Sequence, residues 1–315
     1  MKISVKIFIT CVIALNLAGC SNDAIYRDEH YKPMVYLLSA GTENVYIASY
    51  TLNEENPVRY VTVGCGGSNA NDRPIVVNIE PSPEMFDRYN SLNFDYEDQY
   101  ARLLPASRYL IASYSAAIPA KSDYHYARIP VGVWPLGLSP DSTYFIPLKI
   151  VSVSEYEVNE NKQDVLFRVV IENDYATQYP LTEYTKSGQF ASTSALNVLS
   201  GTKTVLPLAK DKVRMFVGNE LYNNNTTPGD IARNSVVVQI HENNTVTVTP
   251  YDGSMMEVEM LSAAPNYNRY DPALMQGLTQ QRVFWLNYRF RQRSVGGGDF
   301  GLWFDVEERL VRIED

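Results

Sequence analysis

Val283-Phe284-Trp285-Leu286-Asn287-Tyr288-Arg289-Phe290 decides the class of fold, because apolar side chains recur in it at every second position. Successive side chains of a β-strand point to opposite faces, so this spacing predicts a strand with one apolar face. Short segments of the same kind recur along the chain, and neither half has the pattern of a long amphipathic helix. The sequence therefore predicts an all-β protein made of antiparallel sandwich or barrel domains.

The second face of this strand predicts a binding surface. Trp285, Asn287 and Arg289 share that face, and Trp303 and Asp305 share the more polar face of the next predicted strand. Two indole rings beside side chains that form hydrogen bonds would make a platform for a sugar ring, with the rings for stacking and the polar groups for hydroxyls. The alternative is that a second layer covers this face and both tryptophans belong to a core.

The relative position of the two tryptophans depends on where the hairpin turns. The next strand is predicted over Phe300–Val306. If the chain turns about Ser294, Trp285 and Trp303 lie directly opposite each other, with Cβ atoms about 5 Å apart. Gly296-Gly297-Gly298 is then the tip of the hairpin; it is not a phosphate loop, since a strand rather than a helix follows it.

The short strands fall into two sets, which predict two domains, over residues 33–154 and 155–315. In the first set, Ser82-Pro83-Glu84 is typical of a helix start, and a helix to about Ser91 is expected. The other segments with strand character are 34–38, 44–48, 58–63, 75–79, 109–113, 127–133 and 144–153, then 165–172, 204–208, 213–217, 235–241, 245–249 and 257–261.

Residues 1–19 have the organisation of a bacterial signal peptide. Two lysines precede an apolar run over residues 7–18, which is too short to remain as a membrane-spanning helix. The run ends in Leu17-Ala18-Gly19-Cys20, which resembles a lipobox, in which Cys20 would be lipidated. We expect a protein that is anchored by lipid to the outer membrane and faces outward, with residues 20–32 as a tether. The alternatives are an ordinary signal peptide or a buried apolar strand.

Composition excludes several classes of function. The formal net charge is −9, and loss of the two lysines in residues 1–19 makes it −11. An acidic chain repels phosphates, so we expect no nucleic-acid partner. Of the three cysteines, Cys11 lies in the predicted leader and Cys20 would carry lipid. Cys65 alone cannot form an internal disulfide or a cysteine-based metal site, and no cofactor is predicted.

The sequence has no catalytic signature. The three histidines, His30, His125 and His241, form no zinc-binding motif, and there is no Gly-x-Ser-x-Gly. A nucleophilic pair of Cys65 and His125 would have to be assembled by the fold, and a lone cysteine between strands is more often an inert small residue. We therefore predict that the protein is not an enzyme; a hydrolase with a spatially assembled site is the least favoured alternative.

An ordered set of short motifs in the first half carries a resemblance to a known module. The motifs are Thr62-Val63-Gly64-Cys65-Gly66-Gly67, Ile75–Ile79, Tyr89-Asn90, Leu104-Pro105, Ile118-Pro119-Ala120 and Tyr144-Phe145-Ile146-Pro147-Leu148. In this order they resemble the immunoglobulin-like N-terminal domain of Bacteroidetes surface lipoproteins from polysaccharide-utilisation loci. Cys65 departs from the aromatic or small residue expected before Gly-Gly. The resemblance implies an immunoglobulin-like sandwich that acts as a spacer.

The second half resembles, more weakly, the β-rich C-terminal domain that often follows this module. The residues that carry this likeness are Asn266–Asp271 and Phe284–Phe290. The resemblance implies binding of a surface glycan in support of glycan uptake, with outer-membrane uptake components as partners, and brings no catalytic residues. Our leading prediction is non-catalytic binding of a polysaccharide or glycan by a C-terminal β-sandwich or small β-barrel. The alternative is a structural or adhesive surface protein that binds a protein partner.

Overall fold

The computed structural model describes residues 32–67, 71–122, 124–223, 225–262, 267–294 and 298–313. Within these ranges the chain has twenty-one strands and two short α-helices, which confirms the all-β class. The strands form three sheets, two in an N-terminal sandwich and one in a C-terminal half-barrel. The predicted lipidation residue, Cys20, lies outside the described residues. No helix in these ranges is both long and apolar enough to cross a membrane.

The N-terminal sandwich contains the first eleven strands. They are β1 (Met34–Leu37), β2 (Val45–Thr51), β3 (Val58–Cys65), β4 (Ile75–Pro81), β5 (Arg102–Leu103), β6 (Tyr109–Leu110), β7 (Ser115–Ile118), β8 (Tyr126–Val133), β9 (Tyr144–Val153), β10 (Glu157–Val158) and β11 (Asp164–Glu172). One sheet has the order β10-β1-β3-β8-β6, and the other has the order β2-β11-β9-β4-β7 with β5 beside β9. Apolar residues from both sheets form one continuous core.

Strand β11 follows the predicted domain boundary in the sequence but belongs to the second sheet of the sandwich. It lies between β2, to which it is parallel, and β9, to which it is antiparallel. Its inward residues Val165, Phe167 and Val169 are buried in the N-terminal core. Without β11 the second sheet would be split between β2 and β9, so this strand belongs to the sandwich although the predicted division into 33–154 and 155–315 precedes it. In the structure the sandwich extends to Glu172.

The C-terminal half-barrel is a single curved sheet. Its strands are β12 (Thr182–Ala191), β13 (Leu196–Leu199), β14 (Thr202–Ala209), β15 (Lys212–Phe216), β16 (Ser235–Ile240), β17 (Val246–Pro250), β18 (Met256–Met260), β19 (Arg269–Gln276), β20 (Thr279–Gln292) and β21 (Phe304–Ile313). The order is β17-β16-β15-β14-β12-β21-β20-β18, with β13 beside β12 and β19 beside β20. The end strands β17 and β18 contact each other, so the sheet curls around its own core.

Period-two alternation located β20 and its inward face but missed β12. Phe284, Leu286, Tyr288 and Phe290 are all buried inside the half-barrel, as predicted. In β12 the buried residues include Thr182 and Lys186, so a polarity pattern does not mark its inner face. Gly188 also interrupts it, at a φ of 132°, where a Cβ would lie 2.0 Å from the backbone oxygen of Glu307. That close approach requires glycine.

The two α-helices are short and lie at strand ends. The first, α1 (Pro83–Asn93), begins with Pro83 in its first turn, as predicted, although the Ser82 side chain makes no capping hydrogen bond. It packs Phe86 against Phe145, with ring centroids 6.4 Å apart. The second, α2 (Pro228–Asn234), begins with a capping box between Thr227 and Asp230. Short 3₁₀ segments cover Glu97–Gln99, Ala106–Arg108 and Glu160–Lys162.

The inside of the half-barrel holds charged groups. Lys203 Nζ lies 2.5 Å from Glu308 Oε1, and both side chains are almost inaccessible to solvent. Lys186 is also buried, and burial followed by the charge of Lys203 lowers the pKa of its ammonium group. Burial, and next the Glu308 carboxylate, raise the pKa of Tyr288 well above its ordinary value. The core of this domain therefore depends on a buried ion pair as well as on apolar packing.

A second ion pair, in which only the arginine is buried, joins the two domains. Arg214, on β15, binds Asp141, in the loop before β9, through both terminal guanidinium nitrogens. Tyr222 Oη donates a hydrogen bond to the same carboxylate, at 3.0 Å. Gln178 Nε2 donates to the backbone oxygens of Pro140 and Ser142, so the loop is bound on both sides of Asp141. These contacts tie the end of the sandwich to the half-barrel.

Candidate functional site

The two tryptophans lie on the outer face of the C-terminal sheet, outside its core. Trp285 is a half-buried residue of β20, and Trp303 is a half-buried residue just before β21. On the same face of β21, Asp305 and Glu307 are exposed. Neither tryptophan belongs to the apolar core of the half-barrel, which lies on the other face of the same strands.

The register of the hairpin differs from the predicted one. Trp285 pairs with Arg309, and Phe290 pairs with Phe304, which directly follows Trp303. The predicted turn about Ser294 would place Trp285 opposite Trp303, and the structure contradicts this. Arg309 and Trp303 are six residues apart, which corresponds to about 20 Å along an extended strand. The rings therefore form two separate surfaces rather than one platform.

Trp285 is enclosed by cationic and aromatic groups. The guanidinium carbons of Arg269 and Arg309 lie 5.8 and 5.1 Å from its ring centroid, which are cation–π distances. The ring of Tyr267 meets it edge-on, with centroids 5.9 Å apart. Its indole nitrogen is buried and has no hydrogen-bond partner among the described residues. What Trp285 can offer a ligand is therefore apolar ring surface.

Trp303 belongs to a stack that we call the arginine–aromatic ladder, formed by Arg289, Trp303, Arg291, Phe300 and Arg293. The two rings alternate with the three guanidinium groups. Arg289 and Arg291 lie 4.8 and 4.6 Å from the centroid of Trp303. Arg291 and Arg293 lie 4.9 and 4.6 Å from that of Phe300. The ladder is a continuous strip of stacked cations and rings at the end of the hairpin.

Two glutamates on β18 hold the ladder in place. Glu259 Oε2 accepts hydrogen bonds from Nε and Nη2 of Arg289, at 2.9 and 2.6 Å. Glu257 Oε2 accepts one from Nε of Arg291, at 2.7 Å. These pairs are partly exposed, so each stabilises the fold only slightly. Their effect is to fix the orientation of two guanidinium planes against Trp303.

Of the two remaining predicted contact residues, Asp305 lies where a ligand could reach it and Asn287 does not. Asp305 is exposed and is the cross-strand partner of Arg289, so it lies at the edge of the ladder. Asn287 is only 6% exposed, and its backbone N–H donates a hydrogen bond to Asn268 Oδ1. The segment before β19 therefore covers this position. Asn287 cannot contact a ligand on the open face, contrary to the prediction.

Sequence reasoning found Arg289 and Trp303 but missed the residues that complete the ladder. Arg291 and Arg293 continue the period-two series that begins at Arg289, so the strand pattern carried a signal beyond Phe290. The sequence pattern predicts Phe300 as the first residue of a strand, but Phe300 lies before β21 and packs between two arginines. Its position follows from the hairpin register, which local pattern does not specify.

The ladder presents two kinds of group that recur in sugar-binding sites. Stacked rings suit the apolar faces of sugar rings, and guanidinium groups donate hydrogen bonds to hydroxyl or carboxylate oxygens. Within the described ranges, no three metal-ligating side chains come together. The Sγ atom of Cys65 lies 3.3 Å from the backbone oxygen of Gly66, and Cys65 contacts His125 through a backbone hydrogen bond of 2.9 Å.

Comparisons with known proteins agree with this architecture. One family model, of an N-terminal domain, matches residues 28–157, and another, of a C-terminal domain, matches residues 163–310. Their division lies before β11, whereas the sheets divide after it. No curated protein matches the chain.

Several solved structures from Bacteroides share the fold. A protein of unknown function from Bacteroides ovatus has a TM-score of 0.69 at 16% identity, over 89% of this chain and 94% of that one. A multidomain protein from the same species that includes a DUF1735 domain has a TM-score of 0.65 at 15% identity, over 89% and 94%.

A third structure, an auxiliary nutrient binding protein from Bacteroides thetaiotaomicron, has a TM-score of 0.60 at 11% identity, over 88% of this chain and 93% of that one. At these identities the likeness establishes the fold. The chain shares its two-domain, β-rich fold with these proteins of Bacteroides.

Proposed function

We propose that this protein binds a polysaccharide or glycan without cleaving it, and that the arginine–aromatic ladder is its contact surface. The observation that carries the proposal is the stacking of Trp303 between Arg289 and Arg291 on the outer face of the C-terminal sheet. A stacked ring with oriented donors at its edge matches the apolar faces and hydroxyl rim of a sugar. The similar fold of a protein named for nutrient binding supports this proposal.

The proposal includes a location. Lipidation at Cys20 would place the protein on the outer membrane, where a bound glycan could be passed to uptake components. Binding by one shallow surface is weak, and many anchored copies would bind a polymer more tightly through multivalency. Replacement of Cys20 by alanine should move the protein out of the membrane fraction and abolish labelling by a radioactive fatty acid. Unchanged fractionation would contradict the anchor without bearing on the ladder.

The ladder is tested by affinity electrophoresis of the purified protein in gels that contain xylan, mannan, β-glucan or polygalacturonate. We expect retardation by at least one of them. Replacement of both Phe300 and Trp303, the two rings of the ladder, by alanine should weaken that retardation about tenfold or more, because stacking contacts are worth about 1 kcal/mol each. Trp134→Ala is the matched control, since this half-buried tryptophan lies in the N-terminal domain.

Circular dichroism establishes that each variant is folded. Undiminished retardation of the folded double variant would overturn the ladder as the contact surface. Failure of every polysaccharide to retard the unaltered protein would contradict glycan binding itself and would favour the adhesive alternative, in which a protein partner is bound.

A further inference from the structure

The outer face of the N-terminal sheet carries a cleft of about 360 Å³. Tyr36 on β1, Gly64 on β3 and Tyr126 on β8 are cross-strand neighbours in one row. Neighbouring strands are about 4.8 Å apart, so a glycine separates two tyrosines whose backbones are about 10 Å apart. Thr62 follows on the floor, while Tyr124 and His125 complete one wall. We call this group of six residues the tyrosine cleft.

Gly64 is what allows this arrangement. A Cβ at this position would lie 2.6 Å from Cζ of Tyr36, well inside van der Waals contact. The ring of Tyr36 therefore lies flat over the central strand instead of projecting from it. Any side chain at Gly64 would push the ring away and fill the floor.

The tyrosine rings of the cleft are open to solvent. Tyr124 is 65% exposed and Tyr126 is 37% exposed, and the two rings meet edge-on with centroids 5.7 Å apart. No hydrogen bond to another described residue engages the phenol hydroxyls of Tyr36, Tyr124 or Tyr126. Arg128 stacks on Tyr126 at 5.1 Å and on the neighbouring Tyr60 at 5.7 Å. The face thus presents ring surface and free hydroxyls together.

We propose that the tyrosine cleft is a second saccharide-binding site, specific for uncharged sugar units. Its described lining, which also includes Leu38 and Cys65, has no carboxylate, and its polar side chains are hydroxyls, one thiol and one imidazole. Such groups match the hydroxyl rim of a neutral sugar, while the rings match its apolar faces. The inference extends the proposed function to the N-terminal domain, which then acts as a receptor domain rather than only a spacer.

The test uses neutral hexasaccharides prepared from xylan, mannan and β-glucan, with binding measured by calorimetry on the purified protein. Tyr36→Ala combined with Tyr126→Ala should weaken binding about tenfold or more, because two stacking surfaces are lost. Gly64→Ala should weaken it about three- to tenfold although every ring is retained. Tyr96→Ala is the matched control, since this 67% exposed tyrosine does not line the cleft.

Hydrogen exchange with the bound hexasaccharide separates this proposal from the ladder. We expect protection of peptides over residues 58–65 and 124–128, and the same protection in the variant that lacks Phe300 and Trp303. Protection confined to residues 285–309 would overturn the cleft and leave the ladder intact. Binding by none of the three probes would overturn the cleft, while retardation by polygalacturonate would still support the proposed function.

Discussion

The two domains are built from the same element but treat polar and aromatic groups in opposite ways. The N-terminal sandwich has an apolar core, and its tyrosine cleft is lined by neutral groups. The C-terminal half-barrel buries the Lys203–Glu308 pair inside and stacks arginines on rings outside. Charge is therefore a structural component of one domain, whereas the described lining of the tyrosine cleft has no carboxylate, lysine or arginine. The difference predicts that the domains will respond differently to charge removal and to salt.

The largest effect should come from the buried pair of the half-barrel. Glu308→Leu leaves Lys203 and Lys186 as buried ammonium groups without their carboxylate, so we expect a loss of about 3–5 kcal/mol in the free energy of unfolding. Lys203→Met should cost less, because Glu308 still interacts favourably with Lys186. The double variant should recover most of the loss, since a well-packed apolar pair replaces the ion pair.

Urea unfolding followed by tryptophan fluorescence measures all three variants. If the double variant is as unstable as Glu308→Leu, the loss of stability does not come from an unpaired buried lysine. The half-barrel core would then not depend on charge in a way that the sandwich core does not. A Val→Ala substitution in the N-terminal core, such as Val63→Ala, is a useful reference, because there only packing is lost.

The Arg214–Asp141 contact tests whether an ion pair also stabilises the contact between the half-barrel and the sandwich. Arg214 is 1% exposed in its side chain, whereas Asp141 is 20% exposed. Asp141→Ala should therefore lower the free energy of unfolding by about 3 kcal/mol, because it leaves the buried guanidinium of Arg214 without its carboxylate. Arg214→Met should cost about 1–2 kcal/mol, because the freed carboxylate can be hydrated. Differential scanning calorimetry measures the unfolding temperature of each variant. It should fall further for Asp141→Ala than for Arg214→Met, and the unfolding transitions of the two domains should separate further.

The exposed hydrogen bond of Asn53 with Asp174 is a matched control for this interface. Asn53→Ala should change stability by less than about 0.5 kcal/mol. Equal losses for Asp141→Ala and Arg214→Met would mean that the contact acts through packing alone, and the burial difference between the two side chains would then be irrelevant.

A structural feature could be predicted from the sequence when the residues that determine it are close together in the chain. The inner face of β20 follows from alternation within eight residues, so it was predictable. The register of β20 against β21 depends on a loop that spans Arg293–Trp303, and its length gives no unique turn. The location of β11 depends on parallel pairing with β2, about 120 residues earlier in the chain. No local pattern encodes a partner at that distance.

The two surfaces differ in the same respect. Arginines at alternate positions of β20 gave a partial signal for the ladder, because they belong to one strand. The tyrosine cleft is composed of three strands, and Gly64 has meaning only once it lies between Tyr36 and Tyr126. In the sequence that glycine belongs to a Gly-Cys-Gly-Gly turn motif, which gives no indication of a cleft floor.

The smallest expected effect, the response of binding to salt, sharpens the comparison between the surfaces themselves. Guanidinium groups on the ladder are partly exposed, so their attraction for polygalacturonate should be screened. Raising sodium chloride from about 50 mM to about 500 mM shortens the Debye length to a few ångström, and should weaken that binding about two- to threefold. Binding of a neutral hexasaccharide in the tyrosine cleft involves no charge pair and should be unchanged within error.

Affinity electrophoresis at both salt concentrations measures the binding of polygalacturonate, and calorimetry measures the binding of the hexasaccharide. Equal sensitivity at the two surfaces would mean that charge does not distinguish them, because screening acts on exposed ionic contacts and leaves ring stacking almost untouched.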